Sequence, residues 1–199
     1  MKLRIFQYGS PILRAKGERV NEIDDKIRQL AQDMIETMHA ASGVGLAAQQ
    51  IGAALQVTVL DVSQVEDRPS TLRLNGTEVD PKAASPLVLV NPEITLGIET
   101  SLGVEGCLSF PEVTGDIERS QEVQVRAQAL DGSQIELEAT GLLARAIQHE
   151  VDHLNGILFI DRMSSAAKAA LASRLKRMQK ETERDIRKSR RAMEPETAL

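Results

Sequence analysis

The stretch GLLARAIQHEVDHLNG, residues 141–156, constrains this chain more than any other. Its apolar positions recur with a helical period, and Gly156 supplies a stop. His149 and His153 stand four residues apart, hence one turn apart on one helix face. Ile147, Val151, Leu154 and Ile157 surround them, so the helix is largely apolar and has to be buried. Two imidazoles and the Glu150 carboxylate inside such a helix need partners, because unpaired buried polar groups are costly. A metal ion supplies them. The spacing lets one helix offer two nitrogen ligands, and Glu150, about 100° further round, can reach a metal-bound water without being a ligand.

Three protein ligands and one open position mark a catalytic metal, so the third ligand matters. A histidine six residues after His153 would complete one peptidase pattern, but Phe159 stands there. A downstream glutamate would complete another, but the nearest is Glu181, inside a basic segment. His39 ends an amphipathic helix, where a surface position is expected. Cys107 remains. It is the single cysteine of the chain, in EGCLSFP, and Gly106 beside it leaves room for close approach to a metal.

The rest of the chain reads as strands bracketed by helices. Ile23, Ile27, Leu30, Met34 and Met38 predict an amphipathic helix capped by Asn21 or Asp24. GVGLAAQQIG, from residue 43, reads as a Gly-rich turn. Residues 55–62 and 87–94 read as buried strands. The polar segment 63–86 between them is long for a loop, and Asn75-Gly76 predicts a small hairpin within it. A second hairpin is expected at Asp131-Gly132, leading into the histidine helix. A last helix is expected from about residue 164 to 190. The expected class is α+β: mainly antiparallel sheets packed around the central metal-binding helix, with a C-terminal helix.

Charge is unevenly distributed. From Ser164 to Met193, ten Lys and Arg stand against three acids, a local balance of +7 in a chain whose net charge is −5. The organisation expected is a catalytic domain over 1–163, a basic helical arm over 164–191 and a disordered tail over 192–199. A basic arm on an acidic body suggests a polyanionic partner for the arm alone. No apolar run reaches the length of a membrane span, and the N-terminus lacks the pattern of a secretory leader. A cytoplasmic monomer is the expectation.

Three separated segments, GVGLAAQQ (43–50), EGCLS (105–109) and QHEVDH (148–153), resemble the three defining motifs of the peptide deformylase family, in the family's order. The opening YGSPILR is also similar, and the resemblance covers roughly residues 1–162. Phe110 departs from it, standing where a smaller aliphatic residue is frequent, and 63–86 is longer than in compact members. The resemblance implies hydrolysis of the N-formyl group from the initiator methionine of new polypeptides. It implies that the Gln50 side chain and the Leu108 backbone N–H donate to the developing oxyanion. It also implies that Gly43, Val44 and Gly45 pair with the peptide and border its methionine. The ligand set Cys107, His149 and His153, with Glu150 as general base and then general acid, suits that chemistry on its own terms. Asp152 is a candidate to orient a histidine, and Glu105 to organise the site with Arg119 as ion partner.

Imidazole and thiolate accept zinc, nickel, cobalt or iron. The resemblance favours Fe2+. A zinc metallopeptidase is the competing enzyme reading, weakened by the missing third ligand. A ribosome- or RNA-binding protein with a structural metal is the other, weakened by one cysteine and few aromatic residues. The basic arm is treated as an accessory that docks the enzyme on the ribosome, where its nascent-chain substrate emerges.

Overall fold

The structure, a computed structural model, describes residues 1–193. Helix α1 (Asp25–Ala40) is capped by Asp24, whose side chain accepts from the Ile27 N–H. Asp24, rather than Asn21, fills the cap because it lies three residues before that exposed N–H. Strands β1 (Gly45–Ala47), β2 (Val57–Leu60), β3 (Leu72–Leu74) and β4 (Thr77–Val79) follow, then a one-turn helix α2 (Pro81–Ala84) and β5 (Leu87–Leu96). Next come β6 (Thr100–Cys107), β7 (Phe110–Ser120), β8 (Glu122–Gln128), β9 (Gln134–Thr140), α3 (Gly141–Leu154) and α4 (Ser165–Met193).

Seven of the strands form one antiparallel sheet in the order β1-β2-β5-β8-β9-β3-β4, and β6 and β7 form a separate two-stranded ribbon. The α+β expectation holds. β2 is buried on both faces because two helices cover it. Val57 and Val59 pack with Met34 and Met38 of α1, while Leu60 packs with Leu143 and Ile147 of α3. Every residue from Leu142 to Leu154 is buried, so α3 is the central element its apolar sequence predicts. The sheet covers one side of α3 and the ribbon another. The helix closes at Asn155 and Gly156, the latter at φ 73°.

The segment 63–86 is more than a loop. Asn75 and Gly76 take φ 49° and 80°, the double positive φ of a tight hairpin turn. The hairpin so formed extends the main sheet, with Leu72 opposite Ala139. Ser70 Oγ accepts from the Leu143 N–H at 2.9 Å and so supplies the N-terminal cap that α3 lacks from its own Thr140. Asp131-Gly132 turns the β8–β9 hairpin as expected. GVGLAAQQIG is corrected from turn to structure. It forms the edge strand β1 and a 3-10 turn over Ala48–Ile51, because β2 offers backbone partners that no local pattern reveals.

Helix α4 includes Ala192 and Met193, and the rest of the expected tail, 194–199, lies outside the described residues. The apolar stripe of α4 does not project into solvent. Leu175 is buried with Phe110, Phe159 and Leu13, and Leu171 and Met178 pack beside it. Leu175→Ala should therefore cost about 2–5 kcal/mol, the range for a buried leucine. Urea unfolding checks this, and a change near zero would mean that α4 contributes nothing to the core.

Candidate metal centre

Cys107 sits at the tip of the β6–β7 ribbon, next to the two-residue turn Leu108-Ser109. The pairing shifts register between Gly106 and Cys107, so that Gly106 lies opposite Thr114 but Cys107 opposite Phe110. Such a bulge re-aims side chains, and here it accompanies a thiol directed at α3. From α3, His149 and His153 present rings whose centroids are 5.1 Å apart. Cys107 Sγ is 3.2 Å from His153 Nε2, and the candidate ligand atoms of Cys107, His149 and His153 all lie within 4.8 Å of one another. Residues from two elements, 42 positions apart in sequence at their nearest (Cys107 and His149), thus make one cluster.

The surroundings set the charge of each ligand. His149 Nδ1 is 3.0 Å from Glu105 Oε2, which leaves Nε2 for the cluster. Glu105 also accepts from Arg119 at 2.9 and 3.0 Å and from Arg145 Nη1 at 2.9 Å. Burial pushes its pKa up, but the hydrogen bonds of His149 and Arg119 outweigh that and hold it at about 2. It is a carboxylate at every ordinary pH. Burial also disfavours charge on His149, yet Cys107 and Glu105 raise its pKa well above the usual histidine range. The Glu105 carboxylate, with the Cys107 sulfur opposite it, makes this a place where positive charge is stabilised, whether on an imidazole or as a cation. Burial drives His153 well below its ordinary value and keeps it neutral, the form that ligates.

Glu150 faces the same space. It is buried, and its Oε2 has no hydrogen-bond partner among the described residues. Burial raises its pKa to about 7. A Cβ built at Gly45 would lie 2.4 Å from Glu150 Oε1, so only glycine at position 45 lets the carboxylate occupy its place. Gln50 Oε1 accepts from the Ala47 N–H at 2.8 Å, which fixes the amide orientation. Its Nε2 then donates to Ser109 Oγ at 3.3 Å and to Cys107 Sγ at 3.5 Å. Leu108 turns its carbonyl to the Gln7 amide and its side chain to Gly43. A cavity of about 520 Å³ joins these groups, lined by Gly43 and Val44 just before β1, by Gly45 at its start and by Val104 to Cys107 on β6.

All nine sequence-nominated residues (Gly43, Val44, Gly45, Gln50, Cys107, Leu108, His149, Glu150 and His153) therefore converge on one cavity or its metal cluster. Asp152 behaves differently from its expectation. It touches neither histidine but joins Arg119 to Arg162, buried beneath the ligands. Phe110 lines the same cavity, where it stacks on Tyr8 and meets Phe159 edge-on. Arg145 and Ser109 were not visible as site residues. For Arg145 the signal was present: a cation one turn before His149 on an otherwise apolar buried helix has to have an anionic partner. His39 lies partly exposed against Asp61 and outside the cluster.

The sequence matches the family model for polypeptide deformylase over residues 2–169. The chain belongs to the peptide deformylase family. A curated peptide deformylase of Opitutus terrae is 46% identical over 184 residues, 92% of this chain and 95% of that protein. Among solved structures, the peptide deformylase of Thermotoga maritima superposes with a TM-score of 0.70 at 38% identity, covering 82% of this chain and 99% of that one. Peptide deformylase 1B of Arabidopsis thaliana gives 0.79 at 32% identity, covering 93% of each. Members of the family are metal-dependent hydrolases that remove the N-formyl group from nascent peptides, and this chain is one of those enzymes. The peptidase and structural-metal readings are set aside. The family match ends at residue 169, inside α4, so most of the basic helix lies beyond it.

The contact between Gly45 and Glu150 yields a direct expectation. Gly45→Ala should displace the carboxylate without touching a metal ligand. Turnover should fall by about 10²-fold, the scale of a 1 Å misplacement of a reacting group, while metal content by elemental analysis stays unchanged. Full turnover would show that Glu150 does not need its present position.

Proposed function

We propose that Cys107, His149 and His153 hold one divalent cation and that Glu150, Gln50 and Leu108 carry out the deformylation around it. The observation that supports this best is the convergence of three ligand atoms in a cavity that also holds the unpartnered Glu150 oxygen. The residues fit a cation: one thiol, one neutral imidazole and one imidazole whose outer nitrogen is already fixed by a carboxylate. A divalent ion held there supplies positive charge that polarises the formyl carbonyl and acidifies water. Fe2+ is the proposed ion in the cell, with zinc, nickel and cobalt acceptable to the same donors.

Glu150 takes a proton from the attacking water at its open oxygen and returns it to the departing amine nitrogen. The C–N bond of the formamide breaks, and formate and a free amine leave. Gln50 Nε2 and the Leu108 N–H donate to the carbonyl oxygen as it gains charge. Gly43 and Val44, leading into β1, and Gly45 at its start present an open backbone edge to the peptide, which suits an extended chain entering beside a sheet. Glu150→Gln should keep the metal and lose about 10²–10⁴-fold in formate release from a formyl-Met peptide. Retained turnover would exclude the proton transfer assigned to it.

The remainder of the chain has a second role in this reading. We assign 1–163 to the catalytic unit and the cations of the basic arm, 164–191, to contact with ribosomal phosphate, in a cytoplasmic monomer. Leu175 and Thr182 rest on the body, whereas Arg184, Arg187 and Lys188 beyond them are exposed. The acidic body would be repelled by RNA, so docking has to come from these cations. Replacing all three by Glu should abolish co-sedimentation with ribosomes at low salt and flatten its salt dependence, with formate release from small peptides unaltered. Unchanged co-sedimentation would remove these three cations as the docking element.

A further inference from the structure

Among the described residues, five large apolar side chains are exposed, and three of them, Ile98, Leu102 and Val104, form one ridge along β6 and the turn before it. Ile98 is 98% exposed, in the turn between β5 and β6, and Leu102 is 70% exposed on β6. Isolated apolar residues on a surface need no explanation, but a contiguous set marks a contact. The ridge borders a second cavity, of about 1030 Å³, whose wall includes Ile98 and Leu102. Arg68, Leu142 and Arg145 line both this cavity and the one at the metal centre, so the two adjoin. Val104 lines the first and belongs to the same face of β6 as Leu102.

We propose that the second cavity is an extended subsite for the formylated chain, taking apolar side chains at about its fourth to sixth residues. This rests on the proposed placement of the formyl group beside Cys107 and Glu150. The formylated end is then enclosed, and the rest of the substrate has to leave along the cleft. Five residues of β6 separate Cys107 from Leu102, about 17 Å at roughly 3.3 Å per residue of extended chain. A substrate running back along β6 reaches Leu102 after about that many residues, and Ile98 lies beyond it on the wall of the same cavity. Backbone pairing cannot hold it there. Arg145 Nη2 occupies the Ser101 carbonyl at 2.9 Å, and Nη1 approaches that of Gly103 at 3.5 Å. Side-chain contact with the ridge is what remains, so the subsite selects apolar character rather than a particular sequence.

The test compares formate release from formyl-Met-Ala with release from two longer peptides, formyl-Met-Ala-Ser-Leu-Val-Leu and formyl-Met-Ala-Ser-Ser-Ser-Ser. The apolar hexapeptide should show a kcat/KM on the order of tenfold above the serine one, the scale set by apolar contacts to a substrate. The doubly substituted Ile98→Ser, Leu102→Ser protein should lose that preference and hydrolyse formyl-Met-Ala, too short to reach either side chain, as before. Both side chains are exposed, so serine at these places leaves the core intact. Equal kcat/KM for the two hexapeptides, or a preference that survives the double substitution, would overturn the proposal. So would unchanged kinetics together with loss of a concentration-dependent dimer in sedimentation, which would give the ridge to a second copy of this chain. No formate from any peptide would overturn the catalytic reading and this proposal with it.

Discussion

Glu105 accepts hydrogen bonds from Arg119 across the ribbon, from Arg145 one turn before His149, and from the His149 ring itself. That carboxylate joins the ribbon that carries Cys107 to the helix that carries both histidines. Arg119 continues the network to Asp152, and Asp152 to Arg162 after the helix end. Buried ions are costly to desolvate, and their mutual attraction offsets the cost only where geometry is good and every group is hydrogen-bonded. Both conditions hold here, since Arg119 has carboxylates on either side and Glu105 fills its acceptor sites with three partners. Such a network adds little net stability over apolar packing, but it tolerates one arrangement. Sliding the ribbon by one residue would strand several buried charges at once. The relative placement of Cys107 and the histidines therefore rests on this network more than on any contact between the ligands themselves.

The cleft and Glu150 are coupled by a second close contact. Gly45 belongs to the edge of β1, which faces the open cavity, and its missing side chain makes room for Glu150. One residue thus shapes both the strand that borders the substrate space and the seat of the carboxylate. The same residue accounts for the environment of Glu150. Covered by β1 and held in α3, it is dry enough for burial to lift its pKa to about 7. A carboxyl at that value is suited to both taking and returning a proton near neutrality.

Helix α4 changes character along its length. Its early turns bury Leu175 in the cluster around Phe110 and Phe159, which also underlies the turn that presents Cys107. Its later turns carry exposed cations. Phe110 lies between these roles, stacked on Tyr8 from the N-terminal segment. A larger aromatic at that position fits because Tyr8, Phe159 and the stripe of α4 enclose it.

Local patterns in the sequence determined much of this protein. The His149–His153 spacing, the apolar circumference of 141–156, the Asp24 cap and the turns at Asn75-Gly76 and Asp131-Gly132 each act within a few residues. Periodicity and turn chemistry report such short-range terms well. The three motif segments, through their resemblance to the family, also named residues that the structure gathers at one cavity or its metal cluster. Tertiary structure decided the rest. The edge strand β1 exists because β2 pairs with it. The ribbon's bulge at Cys107 depends on Thr114 and Phe110, across the hairpin. Asp152, read from the sequence as a candidate to orient a histidine, became the link between Arg119 and Arg162. The β1 pairing and the place of Asp152 arise from partners 10 or more residues away, and buried charges choose their partners by three-dimensional proximity that no local pattern encodes.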